Sequence, residues 1–407
     1  MMTTITATPP RSDLEGRVAR VGVFNYLSSD RIVFGRAAAE ALRDEAARLG
    51  AQRVFLMASG TMTRTTDEVD RVRHALGPRL AGVWSHMPPH TPRDAVVAAA
   101  NEARALGADL IATFGGSSLT DAGKVVQLCL KHDISNVDGL EPFRMITYPD
   151  GTRHIPQYEG PTIRQIAIPT TLSAGEFNSQ AGCTDTRIRR KQSYRHPLLT
   201  PRAIILDPAP TRHTPMWVWL STGVRAVDHA IELYCSNLAN PITDASALHA
   251  LRLLGRALPK VRSDPSDMDA RLDCLFGAAI SLVGRQADIP LGASHAIGHI
   301  LGGTCDVPHG ITSCLMLPHV LRYNRAVNEA RQADVAVAMG RPGEDAADVV
   351  AELVRALGLP QRLSEVGVGP EQFALVASNC MQDPSLHGNP RRITSEQQVI
   401  ELLEAAA

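Results

Sequence analysis

Asp109-Leu-Ile-Ala-Thr-Phe-Gly-Gly-Ser-Ser-Leu-Thr-Asp-Ala-Gly-Lys124 is the stretch that decides the fold. Its run from Leu110 to Phe114 lacks polar alternation, as expected of a strand covered on both faces. Gly115 and Gly116 then turn the chain, and Ser117 and Ser118 open a helix. A strand, a glycine turn and a helix start form the unit from which parallel sheets are built. The junction also exposes backbone N–H groups at the positive end of a helix, where an anion can approach closely. The glycine spacing matches neither GxGxxG nor the P-loop, and a tight strand–helix turn accounts for GGSS equally well.

The same grammar repeats upstream. Arg31–Gly35, Gln52–Ala58 and Leu80–Trp84 read as strands, and Arg36–Leu49, Asp67–Leu76 and Asp94–Leu106 as amphipathic helices. A second loop, Ala167-Ile-Pro-Thr-Thr-Leu-Ser-Ala-Gly-Glu176, follows another apolar segment. It gathers Thr170, Thr171 and Ser173, hydroxyls suited to ribose or phosphate. Lys191 precedes a strand expected over 202–207 and is a candidate for a ribose hydroxyl. The strand ending at Ser59-Gly60 carries no acidic residue there, so nothing excludes a 2′-phosphate. After Leu206-Asp-Pro-Ala-Pro210 the period changes to 3.6 residues. Helices are expected over 217–238, 244–258, 267–283, 311–327, 345–357 and 395–406. The expected division is 1–209, α/β and dinucleotide-binding, and 210–407, all-helical. Residues 132–160 read as a long loop or small hairpin, with Pro149-Asp-Gly151 as a turn.

The 407 residues are 44% hydrophobic and carry a net charge of -1. No basic excess exists to hold nucleic acid, and no Lys/Arg tract to hold a membrane surface. The apolar runs break well before 18 residues, too short to span a bilayer. Met1–Arg11 is Thr/Pro-rich, expected to fray, and lacks the pattern of a signal peptide. Seven cysteines without a CxxC pair read as free thiols in a reducing cytoplasm.

The reactive text is Ser294-His-Ala-Ile-Gly-His-Ile-Leu-Gly-Gly-Thr-Cys-Asp-Val-Pro-His-Gly310. His295 and His299 lie one helical turn apart, Gly302-Gly303 reads as a stop, and a short loop delivers His309. Imidazole both ligates metals and moves protons near neutral pH. Upstream, Arg225 and His229 share a helix face at i, i+4.

In order along the chain, several segments resemble the iron-containing (group III) alcohol dehydrogenase superfamily. They are Gly115–Lys124, Ile168-Pro-Thr-Thr171, Ser221–Ile231 and Ala239–Ala245. His295-x3-His299-x9-His309, Leu317-Pro-His-Val-Leu-Arg-Tyr-Asn324 and Asn389-Pro-Arg-Arg392 follow. Arg31–Gly35, His90-Thr-Pro92 and Asn389-Pro-Arg resemble its maleylacetate reductase branch, while the segment 132–160 departs from it. The resemblance implies a dehydroquinate synthase-like fold: a Rossmann-like parallel sheet domain, a helical domain, and hydride transfer from NADH or NADPH between them. It implies cofactor contacts at Gly115, Gly116, Ser117, Ser118, Asp121, Thr170, Thr171, Ser173 and Lys191, and a homodimer. Metal-using members place an Asp four residues before the first His. Here that position is Arg225, leaving His229, His295 and His309 as the only ligands of that set, beside a permanent cation. Asp228, about 100° around the helix from His229, reads as a poor substitute.

The expected function is therefore metal-independent reduction of maleylacetate or a related oxo or unsaturated acid in aromatic degradation. Arg225, His229, His295, His299 and His309 are its candidate catalytic residues. Arg225 would bind carboxylate, protonated His229, His295 or His309 would polarise the carbonyl, and His299 would relay protons. The alternative is an Fe- or Zn-dependent alcohol dehydrogenase for a small alcohol or aldehyde. A fold-retaining binding protein would fail to bind NAD(P)H, and a sugar-phosphate cyclase would need more Lys than the four present.

Overall fold

The computed structural model describes residues 22–148, 152–188 and 190–407, so Met1–Arg11 and Pro149–Gly151 lie outside the described residues. The strands are β1 Arg31–Phe34, β2 Val54–Ala58, β3 Leu80–Trp84, β4 Leu110–Gly115, β5 Ile146–Thr147, β6 Arg153–His154, β7 Arg164–Pro169, β8 Gln180–Asp185, β9 Arg190–Arg195 and β10 Ala203–Leu206. Six of them form one parallel sheet in the order β1-β10-β7-β4-β2-β3. Helices α1 Ala38–Arg48 and α3 Glu68–Leu76 cover one face through Leu42, Val69 and Val72; α2 Gly60–Thr65 follows β2. Helices α4 Arg93–Ala105 and α5 Ser117–Lys131 cover the other through Val96, Ala100, Val125 and Leu128. Every residue of β2 and β4 is buried, the outcome expected of continuous apolar runs.

The strand order fixes where a ligand can enter. From β2 the chain moves to the edge strand β3, and from β4 it moves the other way, to β7. The crevice outside the carboxyl ends of β2 and β4 is thus a topological switch point. Ser59 and Gly115 meet there: a Cβ added to Gly115 would lie 3.3 Å from the Ser59 Cβ.

Beyond Pro210 all regular structure among the described residues is helical. α6 Met216–Cys235 is buried around most of its circumference. It is surrounded by α7 Pro241–Ser263, α8 Met268–Ser281, α9 Ala293–Cys305 and α10 His309–Ala338. α11 Ala346–Ala356, α12 Pro370–Cys380 and α13 Glu396–Ala405 complete the layer.

Four local expectations need correction. Helix α9 runs through Gly302-Gly303 and ends at Cys305, with Asp306 in the left-handed region (φ 56°). Lys191 does not merely precede a strand; it lies inside the antiparallel hairpin β8–β9, opposite Thr184. That hairpin is polar and lacks a glycine turn, so periodicity did not expose it. Helix α12 was not expected, and α10 continues to Ala338 across a kink at Asn328 (φ -145°, ψ 28°). The small hairpin expected within 132–160 is present as the two-residue antiparallel pair β5–β6, preceded by a 3₁₀ turn, Val137–Phe143.

Candidate active site

Three junctions at the carboxyl ends of the sheet build the cofactor side. Gly115 has φ +156° and Gly116 caps α5; a Cβ on Gly115 would collide with Leu119 Cδ1, and one on Gly116 would meet Thr171 Cγ2 at 3.2 Å. Side chains are therefore excluded where backbone must lie open. The Thr170 N–H donates to the Gly115 carbonyl (3.0 Å), joining the second loop to the first, and the Thr171 and Ser173 hydroxyls lie 3.3 Å apart. Gly115, Gly116, Ser117, Ser118, Thr170, Thr171 and Ser173 thus converge at the switch point and the α5 N-terminus, which fits a dinucleotide pyrophosphate. Asp121 Oδ2 accepts the Gly182 N–H (3.1 Å) and docks the hairpin on α5. Lys191 lies along Gly182, and its charge bears on His309.

Lys124, one of only four lysines in the chain, lies outside the expected set of site residues. Its ammonium, fully buried and pushed down to about 8, donates to the carbonyls of Gly175 (2.6 Å), Asn178 (2.6 Å) and Gln180 (2.9 Å). It ties α5 to the second loop. Nearby, burial pushes Glu176 up to about 7.

On the helical side the predicted residues do assemble. His229 stacks on His295 (centroids 4.8 Å apart, 26°), and His299 on His309 (5.4 Å, 8°). Arg225 is buried between α6, α9 and α10, with Nη1 donating to the His309 carbonyl and the Ser313 hydroxyl, both 3.3 Å. Burial lowers its pKa to about 10, so it stays charged at neutral pH. It forms no ion pair with Asp228 or Glu232 within 4.0 Å. His299, at the exposed end, meets Asp383 through Nδ1 (3.0 Å).

Asp228 and Glu232, outside the expected catalytic set, both converge on His295. Its Nδ1 lies 2.7 Å from Glu232 Oε2 and 3.3 Å from Asp228 Oδ2. Glu232 also accepts the N–H groups of Gly292 and Ser294 (2.8 Å each), and Asn389 Oδ1 accepts that of Ala293 (3.2 Å), so α9 starts on an anion. Asp228 accepts from Ser294 Oγ (2.8 Å) and Ser313 Oγ (2.7 Å), and burial still pushes it up to about 6. Burial, and then repulsion from Asp228, pushes Glu232 well above the ordinary carboxylate range, so the pair holds one proton and leaves one net negative charge to offset Arg225. Two imidazole atoms are left buried without a partner: His229 Nδ1 and His295 Nε2.

The three buried imidazoles are held unprotonated at rest. Burial first, then Arg225, pushes His229, His295 and His309 well below the ordinary histidine range, so each is neutral at pH 7. An unfolded chain takes up these protons below about pH 6.5 while the folded one does not, so their contribution to stability falls as pH falls. His229→Asn should make urea stability less pH-dependent between pH 6.5 and 5, by at most about 1.4 kcal/mol per pH unit. An unchanged slope would show that His229 titrates normally in the fold.

Sequence and structure comparisons agree on kinship. The family described as "Iron-containing alcohol dehydrogenase" matches residues 29–208, and "Fe-containing alcohol dehydrogenase family, C-terminal" matches 219–407. Dehydrogenase ALT3 of Alternaria alternata is 33% identical over 88% of this chain and 99% of its own. A maleylacetate reductase from a Rhizobium strain is 30% identical over 87% and 90%. The crystal structure of maleylacetate reductase from Agrobacterium tumefaciens superposes with a TM-score of 0.79 at 28% identity, covering 95% of this chain and 98% of that one. The chain is an NAD(P)-dependent oxidoreductase that belongs to the iron-containing alcohol dehydrogenase superfamily and resembles its maleylacetate reductase branch.

Proposed function

We propose that the protein reduces an oxo or unsaturated carboxylic acid of the maleylacetate kind with NADH or NADPH, without a metal ion. The observation that carries this is Arg225: a buried guanidinium, without a carboxylate partner, among the imidazoles that would have to hold the ion. The donor set does not fit a cation. His229, His295 and His309 share their space with a fixed positive charge, and no carboxylate stands at the position of Arg225. Asp228, Glu232 and His295 bring ligand atoms within 4.8 Å of one another, which favours the metal-dependent alcohol dehydrogenase reading. Most of those oxygens are already occupied by Ser294, Ser313 and the α9 N-terminus, and an ion would have to break these bonds.

Bound nicotinamide supplies the hydride. The chain's own part is to orient the acid and to handle the proton. The Nε–Nη2 edge of Arg225 has no protein partner and matches a carboxylate or a developing oxyanion. His295 Nε2, backed through Nδ1 by a proton-holding carboxyl pair, is placed to protonate the product oxygen. His299, held by Asp383 at the exposed end, passes the replacement proton from solvent. Near the switch point no acid stands at Ser59-Gly60, and Arg64 Nη1 lies 3.1 Å from where a Gly60 Cβ would be, so NADPH is accepted.

The test pairs elemental analysis of the purified protein with oxidation of NADH and NADPH on maleylacetate, with and without chelator. Turnover that survives chelation, with metal well below one per chain, is expected. Metal at about one per chain, or activity confined to simple aldehydes and alcohols, would overturn the reading. We further propose a cytoplasmic homodimer. Among the described residues no helix is long and apolar enough to cross a membrane, and β1 has one unpaired edge with Ile32 and Phe34 exposed.

A further inference from the structure

A second arginine shares the properties of Arg225. Arg285 lies on the 3₁₀ turn Val283–Ala287, and its Nη1 donates to the Ile289 carbonyl (2.7 Å). Among the described residues no carboxylate oxygen lies within 4.0 Å of it, and its Nε–Nη2 edge has no partner and is not sealed off. The turn is pressed on α6: a Cβ added to Gly284 would lie 3.0 Å from the Leu233 Cβ, and Leu233 is one turn beyond His229. Electrostatics agree with this placement, since Arg225 and Arg285 both disfavour protonation of His229.

The surroundings of Arg285 are cationic as well. Burial first, then Arg153, from β6 in the segment that departs from the reductase pattern, and Arg195, from β9, lower it to about 10, with Asp288 acting in the opposite direction. Arg195 is already engaged by Asp288 (2.5 Å), and Arg153 feels Asp383 and Asp288. Two distant parts of the chain therefore bring arginines to Arg285, and three cations outnumber the two carboxylates, Asp288 and Asp383, that face them. A half-buried guanidinium without a directly paired carboxylate, its own Nε–Nη2 fork open, suits an arriving carboxylate.

We propose that Arg285 is a specificity-determining residue that receives the second acidic group of an α,ω-dicarboxylate whose first carboxylate meets Arg225. The reacting carbon then lies between the two arginines, beside His229 and His295. This rests on the acid-reductase reading above and adds to it the residue that distinguishes a diacid from a monoacid.

The test is calorimetric titration of adipate and of hexanoate, acids of equal chain length, into the protein saturated with NADH or NADPH. Adipate should bind at least about tenfold more tightly, one additional charge-assisted contact's worth. Arg285→Gln should bring the two acids within twofold while leaving hexanoate and cofactor binding unchanged, and Arg285→Lys should keep part of the gap. Equal binding of the two acids by the unmodified protein, or a gap that persists in Arg285→Gln, would overturn the assignment and leave the acid-reductase reading standing. Binding of neither acid would overturn that reading and this proposal together.

Discussion

Purified Arg225→Asp protein is expected to carry about one Fe²⁺ or Zn²⁺ per chain and to have lost most of its turnover of acidic substrates. The substitution replaces a buried cation, one helical turn before His229, with the carboxylate that metal-using relatives are expected to have there. Four donors, the introduced carboxylate together with His229, His295 and His309, then suffice for a tetrahedral site, and the repulsion from the guanidinium is gone. Activity on an oxo acid falls because the donor edge that meets the substrate is removed. Loss of one oxyanion-hole donor costs about 10²–10³ in rate, and the added negative charge repels the acid as well. Arg225→Met separates the two effects: it should lose a similar factor and gain no metal. Elemental analysis and kcat/KM on the same preparations decide the matter. Arg225→Met within threefold of the parent, or Arg225→Asp that stays metal-free, would show that Arg225 is structural.

Much of this site is written in local spacing. The spacing of His295, His299 and His309 survives into the structure as two stacked imidazole pairs, even though the helix does not stop at Gly302-Gly303. The sheet was legible because β2 and β4 are buried on both faces and therefore uninterrupted in sequence. Asp228 reads from spacing only as a poor metal ligand, about 100° around the helix from His229; its contact with His295 becomes visible once α6, which has almost no solvent face, is packed against α9 and α10. A signal was present: Arg225, Asp228, His229 and Glu232 are charged or polar at helical spacing within an otherwise apolar helix. Arg285 and Asp383 could not be found this way, since only the packing of a turn and a loop onto α6 and α9 brings them to the histidines.

Glu232→Ala should be the most destabilising single change in the helical layer, costing about 3–5 kcal/mol. The carboxylate accepts from two backbone N–H groups of the first turn of α9 and faces His295 Nδ1 at 2.7 Å, all in a dry interior. Truncation leaves three buried polar groups without their partner, and each unsatisfied group costs about 1–3 kcal/mol. The negative charge that offsets Arg225 stays on Asp228, so the cost falls on the unpaired donors rather than on the net charge. Relief of repulsion with Asp228 works in the opposite direction, but it is worth at most the one proton the pair already shares. Glu232→Gln should lie between the parent and Ala, since one amide oxygen can still accept while the amide NH₂ faces donors. The functional consequence follows from the same bonds: with α9 loosened, His295 loses its fixed ring orientation, and kcat should fall further than cofactor affinity. Urea unfolding followed by helical circular dichroism, with NADPH binding measured on the folded fraction, reads both effects. A loss below about 1 kcal/mol with kcat unchanged would mean that Asn389 and the packing of α9 hold His295 without Glu232.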